Sequence, residues 1–139
     1  MTATDPPTEL APFQIEVAQR FFAMPESAGF LLAGGAALLA QRLTQRPTQD
    51  LDLFTRTANG VPEARDAFEV AARSRGWEVT RIHDGDTFCR LTVTDHETLL
   101  IDLALDSPPQ LPPSLTFLGP SFAPEELAAR KVLGPVRPG

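Results

Sequence analysis

Asp50-Leu51-Asp52-Leu53-Phe54-Thr55, residues 50–55 of a 139-residue chain, alternates carboxylate with leucine and then ends in an aromatic and a β-branched residue. The alternation is that of a half-buried strand, yet strands are usually poor in aspartate. Residues i and i+2 of a strand point to one face, about 6.5–7 Å apart. Asp50 and Asp52 therefore face the same way, anchored by the leucines behind them. Two carboxylates held so can clamp a hard cation such as Mg²⁺. A solvated edge strand would explain the alternation, but not why both polar positions are Asp.

Working outward, Phe30-Leu31-Leu32-Ala33 reads as a short buried strand, Gly34-Gly35 as the turn leaving it, and Ala36 to Leu43 as a helix. A glycine pair there lets backbone N–H groups approach a phosphate closely. Downstream, Leu99-Leu100-Ile101-Asp102-Leu103 buries a third aspartate in an apolar run. A buried carboxylate needs a partner, either a metal or an arginine. A metal shared by Asp50, Asp52 and Asp102 satisfies all three at once; pairing with an arginine such as Arg90 is the structural alternative. Glycine turn, paired aspartates and a later single aspartate outline a metal-dependent nucleotidyl-transfer site.

The remaining elements follow from periodicity. Phe13, Val17 and Phe21 recur at i+4, which predicts a helix from Glu9 to Met24 stopped by Pro25. Val61 to Arg75 is helical, ended by Gly76. Trp77–Ile82 and Thr87–Thr94 are strands joined by an Asp84-Gly85 turn, and Leu99–Leu105 is the next strand. A proline-rich connection, Ser107 to Pro113, leads to a helix from Glu125 to Leu133 that begins at Pro124. Helices alternating with a central group of strands make this an α/β sheet domain. Residues 1–139 form one domain, with 1–8 and 134–139 expected as flexible ends.

The net charge is −6 and the hydrophobic content 42%, which fits a packed core and disfavours a broad polynucleotide-binding face. Arginine outnumbers lysine eleven to one, leaving Lys131 alone. The single cysteine, Cys89, excludes an internal disulfide and sits at a core position of its strand. His83 and His96 have no second ligand at zinc spacing. The longest apolar run, Phe30 to Ala40, is too short to span a bilayer, and the first residues, Met1 to Pro7, have neither the basic start nor the apolar stretch of a signal peptide. A cytoplasmic protein without membrane contact is expected.

Gly34-Gly35 followed by Arg46-x-Thr48-x-Asp50-x-Asp52-Leu53-Phe54, with Asp102 in a later strand, resembles the nucleotidyltransferase superfamily. More narrowly, it is similar to the AbiEii/AbiGii toxin family of minimal nucleotidyltransferases. Pro124-Glu125-Glu126-Leu127-Ala128-Ala129-Arg130-Lys131 resembles the helix that carries the family's lysine. The resemblance covers about residues 28–133. It implies a minimal nucleotidyltransferase fold, a central mixed β-sheet flanked by helices, and transfer of a nucleoside monophosphate from an NTP with Mg²⁺ as cofactor. Asp50, Asp52 and Asp102 would be the catalytic and metal residues, and Gly34, Gly35, Arg46, Thr48 and Lys131 the nucleotide and phosphate contacts. It further implies a tRNA 3′ end as acceptor and a cognate antitoxin as partner. Two departures stand out: Ala36 replaces the Ser or Thr usual after the glycines, and Gly134 to Gly139 stand where relatives continue into further helices. They support the alternative of a truncated, non-catalytic member binding a nucleotide or a protein. So short a domain could also leave apolar surface that favours a homodimer.

Overall fold

Alternation along each strand divides the sheet into an apolar face and a mixed face, and that division places the aspartates. The computed structural model describes residues 10–44 and 48–133, with side chains through residue 130; the ends expected to be flexible lie outside them. The strands are β1 (Phe30–Ala33), β2 (Asp50–Thr55), β3 (Glu78–Asp84), β4 (Phe88–Thr94), β5 (Thr98–Leu105), β6 (Ser114–Leu115) and β7 (Pro120–Ser121). They form one sheet in the order β3-β4-β5-β2-β1-β7-β6. β2 runs parallel to β5, and β1 parallel to β7, while the other pairs are antiparallel. The helices are α1 (Pro12–Phe22), α2 (Gly34–Ala40), α3 (Gly60–Ser74) and α4 (Pro124–Leu133). The expected mixed sheet flanked by helices is what the chain forms.

The apolar face carries Phe30 and Leu32 of β1, Leu51 and Leu53 of β2, Leu99, Ile101 and Leu103 of β5, and Cys89, Leu91 and Val93 of β4, all buried. α1 and α3 cover it. Phe21 of α1 meets Phe30 edge-on at 5.2 Å and lies 6.3 Å from Phe68 of α3, while Phe13 meets Trp77 at 5.3 Å. Each fully buried leucine contributes about 1.5–3 kcal/mol of transfer free energy. That burial fixes the register of β2, because a slip by one residue would turn the leucines out and the aspartates in. Burial also pushes the Cys89 thiol up to about 11, so it packs as a core residue and stays un-ionised at neutral pH.

Several element bounds differ from expectation. α2 runs Gly34–Ala40 rather than Ala36–Leu43, so the glycine pair read as a turn opens the helix itself. α1 starts at Pro12 rather than Glu9, and β3 runs Glu78–Asp84 rather than Trp77–Ile82. Two further differences have local reasons. α1 stops at Phe22 rather than Met24, because the residue before a proline is driven to extended backbone, and Met24 has ψ 141°. Pro25–Ser27 then form a single 3₁₀ turn, in which the Ser27 hydroxyl donates to the Phe22 and Met24 carbonyls. The stretch after β5 also adds β6 and β7 to the sheet edge. Strands of two residues are too short to show a period, so they were invisible to the alternation argument. At the opposite edge, β3 is exposed and charged. Arg81 bonds both oxygens of Glu69 on α3 at 2.7 Å, which ties the edge strand to a helix and blunts it against further pairing.

Candidate functional site

β2 sits at the centre of the sheet because its leucine face is needed there, so its carboxylate face is carried into the middle of the opposite surface. The register then aligns Ala33 of β1, Asp52 of β2, Asp102 of β5 and Arg90 of β4 in one row across four strands. Asp50 lies one pleat along β2 on the same face. Asp50 is exposed, Asp52 is 9% exposed and Asp102 3%. The three aspartates singled out in the sequence thus share one face, two of them side by side.

Gly34, the first residue of α2, meets this row. Its φ is +65°, in the left-handed region, and a Cβ there would overlap Oδ2 of Asp52 and lie 3.1 Å from its Cγ. Glycine is required twice over, for backbone conformation and for close approach. Gly35 abuts Thr48, whose Cβ would be 3.0 Å from an added Cβ. The Thr48 hydroxyl also accepts the Asp50 N–H at 3.4 Å. The structure therefore gathers Gly34, Gly35, Thr48, Asp50 and Asp52 at one end of β1 and β2. α2 spans seven residues, two turns, so any anion held there would meet local N–H groups rather than a long helix dipole. Ala36 is 1% exposed and packed in the core. Arg46 lies outside the described residues. Lys131 belongs to α4, but its side chain lies outside them as well.

Asp102 has a partner the sequence named only under its structural alternative. Arg90 Nε donates to Oδ1 at 2.8 Å and Nη2 to Oδ2 at 3.1 Å, a side-on fork. The bond to Asp102, reinforced by the charges of Asp102, Asp50 and Asp52, raises the Arg90 guanidinium above its ordinary value. Arg90 is 36% exposed, and its guanidinium lies 5.7 Å from the centre of the Phe88 ring. The signal for it was available. The Asp95–Glu97 turn sets the β4–β5 hairpin register, and counting back from Asp102 arrives at Arg90.

Gln14 was not singled out at all. It is 1% exposed on α1, and its Nε2 donates to the Asp50 carbonyl at 3.1 Å while its Oε1 accepts the Ala11 N–H at 3.3 Å. It pins the start of β2, and with it the Asp50 end of the site. Gln14→Leu is expected to cost about 1–2 kcal/mol in urea unfolding, because the Asp50 carbonyl loses its donor. A change under about 0.5 kcal/mol, the range of neutral surface substitutions, would contradict that role.

The chemistry of the donor set suits Mg²⁺ in part. Mg²⁺ is commonly held by one or two carboxylates plus substrate phosphates, and Asp50 and Asp52 provide such a pair on one strand face. Both oxygens of Asp102 are bonded to Arg90, and among the described residues no group of three His, Cys, Asp or Glu stands together closely enough to hold a metal ion. Asp106, at the end of β5, bonds the Ser107 N–H at 2.7 Å and Arg130 of α4 at 2.8 Å, so it organises a loop. A cavity of about 250 Å³ opens at the far end of β2, lined by Leu31, Phe54, Phe122 and Ser107 among others; none of the aspartates of the row reaches it. Among the described residues no helix is long and apolar enough to cross a membrane.

No protein-family model matches the sequence, and no curated protein matches it. Solved structures do. MenT4, a nucleotidyltransferase toxin from Mycobacterium tuberculosis, superposes with a TM-score of 0.64 at 17% identity, covering 89% of this chain and 52% of its own. A Helicobacter pylori protein assigned as a nucleotidyltransferase gives 0.60 at 15% identity, covering 85% and 54%. JHP933 from Helicobacter pylori gives 0.58 at 16% identity, covering 85% and 53%. This chain thus spans about half the length of the solved structures it matches. At these identities the likeness is one of fold: the chain has the fold of nucleotidyltransferases, a minimal nucleotidyltransferase toxin among them.

Proposed function

We propose that this chain transfers a nucleoside monophosphate from an NTP to an acceptor hydroxyl, as the toxin-like component of a two-component system in the cytoplasm. The observation that carries the reading is the close approach of Gly34 to Asp52, which brings the glycine-led start of α2 against one of the two aspartates of β2. Asp50 and Asp52 would hold Mg²⁺. Bound there, the ion would supply charge neutralisation and Lewis acidity at the phosphates.

The chain's own residues do the rest. Gly34 and Gly35 offer backbone N–H groups to the triphosphate, with Thr48 beside them and Arg46 and Lys131 as further phosphate contacts. The acceptor oxygen bonds to the α-phosphorus, the bond to the bridging oxygen breaks, and pyrophosphate leaves. Asp102, beside Asp52, is the carboxylate placed to take the acceptor's proton, provided one of its oxygens is released by Arg90. The acceptor in this reading is a tRNA 3′ end, and an antitoxin protein restrains the enzyme.

The closed Arg90–Asp102 pair favours a second reading, a non-catalytic member that binds a nucleotide or a protein. The two separate in one assay: each of the four NTPs, radiolabelled at the α-phosphate, is incubated with Mg²⁺ and total tRNA. Label is expected to move to tRNA with wild-type protein and not with the Asp50→Asn/Asp52→Asn double variant. Nucleotide binding with no transfer to tRNA, to protein or to small hydroxyl acceptors would give the second reading the field.

A further inference from the structure

The cavity at the far end of β2 belongs neither to the acidic row nor to the ion pairs of the sheet edge. Asp50, Asp52 and Phe54 alternate along one face of β2. The strand that presents carboxylates at one end therefore presents a buried aromatic ring at the other. Phe54, Leu31 and Phe122, all buried, form the floor of about 250 Å³ of space. Phe54 and Phe122 meet edge-on, with 6.0 Å between ring centres. Pro109 and Pro113, from the loop after β5, form a wall.

That wall is held in place by α4. The N–H groups of Gln110 and Leu111 donate to the two carboxylate oxygens of Glu126, at 3.1 and 2.8 Å. Arg130, one turn further along α4, bonds Asp106 at 2.8 Å and lies over Phe122, 3.9 Å from the ring centre. Loop and helix thus fix one another, which keeps the space between them from collapsing. The same bonds engage the carboxylates of Asp106 and Glu126.

Apolar cavities of roughly 150 Å³ stay dry and take up benzene, so this one has room for a ring with a short substituent. Among the described residues that line it, Arg56 is the one charged group. Arg56 is exposed, and among the described residues its guanidinium has no hydrogen-bonding or charged partner. A guanidinium matches a carboxylate through two parallel bonds. One guanidinium balances one carboxylate charge, and the lining adds no second cation for a phosphate. We propose that the cavity binds a small aromatic carboxylate, its ring on Phe54, Leu31 and Phe122 and its carboxylate on Arg56. The site stands apart from the acidic row and does not depend on the transfer reading.

Phenylacetate is the probe, titrated into the full chain and followed by NMR at the methyl groups of Leu31. Phenethyl alcohol, which carries the same ring without the charge, is its partner in the test. The Leu31 signals should shift, and wild type should hold phenylacetate about tenfold more tightly than the alcohol, the scale of one hydrogen bond to a charged group. In Arg56→Gln that preference should vanish while the alcohol binds as in wild type. The substitution is at an exposed position, where effects on stability are small.

Leu31→Phe fills the space and should abolish binding of both compounds. Where that variant fails to fold, the Leu31 shifts of wild type locate the ligand without it. No shift at Leu31 up to millimolar phenylacetate would overturn the proposal. So would a preference for phenylacetate that survives Arg56→Gln, because the carboxylate would then lie elsewhere. Shifts at Val70 or Ile82, apolar side chains exposed on other surfaces, with Leu31 unmoved would overturn it as well.

Discussion

Asp52→Asn is expected to lower nucleotide transfer about 10³-fold or more while leaving the melting temperature unchanged or raised. The rate effect follows from the role of the pair. Charge stabilisation by a bound cation is worth several kcal/mol in the transition state, and each 1.36 kcal/mol is about tenfold in rate. The stability effect follows from the face on which Asp52 lies. Asp50, Asp52 and Asp102 share it, and among the described residues the guanidinium of Arg90 is bonded to Asp102. Asparagine keeps the shape of Asp52 next to Gly34 and removes one of the like charges, the usual direction of an exchange of activity for stability at a site. Steady-state transfer and a thermal melt on one preparation decide it. A variant that retains full activity would sink the assignment of Asp52, and a large fall in melting temperature would show that its carboxylate is holding the fold.

Gly34→Ala is the second large effect, and its cause is steric. At φ +65° an alanine pays the left-handed penalty of about 1–2 kcal/mol. Its methyl group also overlaps Asp52 Oδ2, so either the carboxylate or the turn must move. Together these are expected to destabilise the chain by about 2–4 kcal/mol, a large part of the marginal stability of a small domain. Transfer should fall to background even where the protein remains folded, because the displaced groups belong to the proposed site. Gly35→Ala is the matched control. Gly35 has no positive φ, and its added methyl meets the Thr48 side chain, Cβ at 3.0 Å, which can shift. It should cost distinctly less in both stability and transfer. Equal effects at the two glycines, measured by urea unfolding and by transfer, would mean that the contact with Asp52 is not what Gly34 is for.

The face and the company of the aspartates were legible in the sequence because strand alternation is a local rule with a period of two. Once Leu51 and Leu53 are assigned to the core, Asp50 and Asp52 have nowhere else to point. Gly34 was legible for a similar reason, as punctuation between an apolar strand and a helix. What lay out of reach depended on pairing between distant segments. Gln14 reaches the Asp50 carbonyl across 36 positions of sequence, and nothing in its helix marks it beyond a polar residue on a buried face. β6 and β7 are two residues each, and they join the sheet through Leu32 and Ser121, a contact no periodicity could announce. Arg90 lies between these cases. Its strand was read correctly, but its partner became visible only when the hairpin register placed it opposite Asp102.

That register changes how the acidic row is read. Three aspartates near one another suggest three metal ligands, whereas the structure presents a pair on β2 and a third carboxylate closed by a guanidinium. The distinction matters for any experiment on Asp102. Asp102→Asn removes a candidate proton acceptor and at the same time frees Arg90, so its kinetic effect should be interpreted only beside Arg90→Gln.

The measurement that bears most directly on the central claim is a calorimetric titration of wild-type protein with each NTP, with Mg²⁺ and with chelator, repeated on Asp50→Asn/Asp52→Asn. The account predicts nucleotide binding that requires both the cation and the aspartate pair. Binding that survives loss of the pair, or that is the same in chelator, would contradict it.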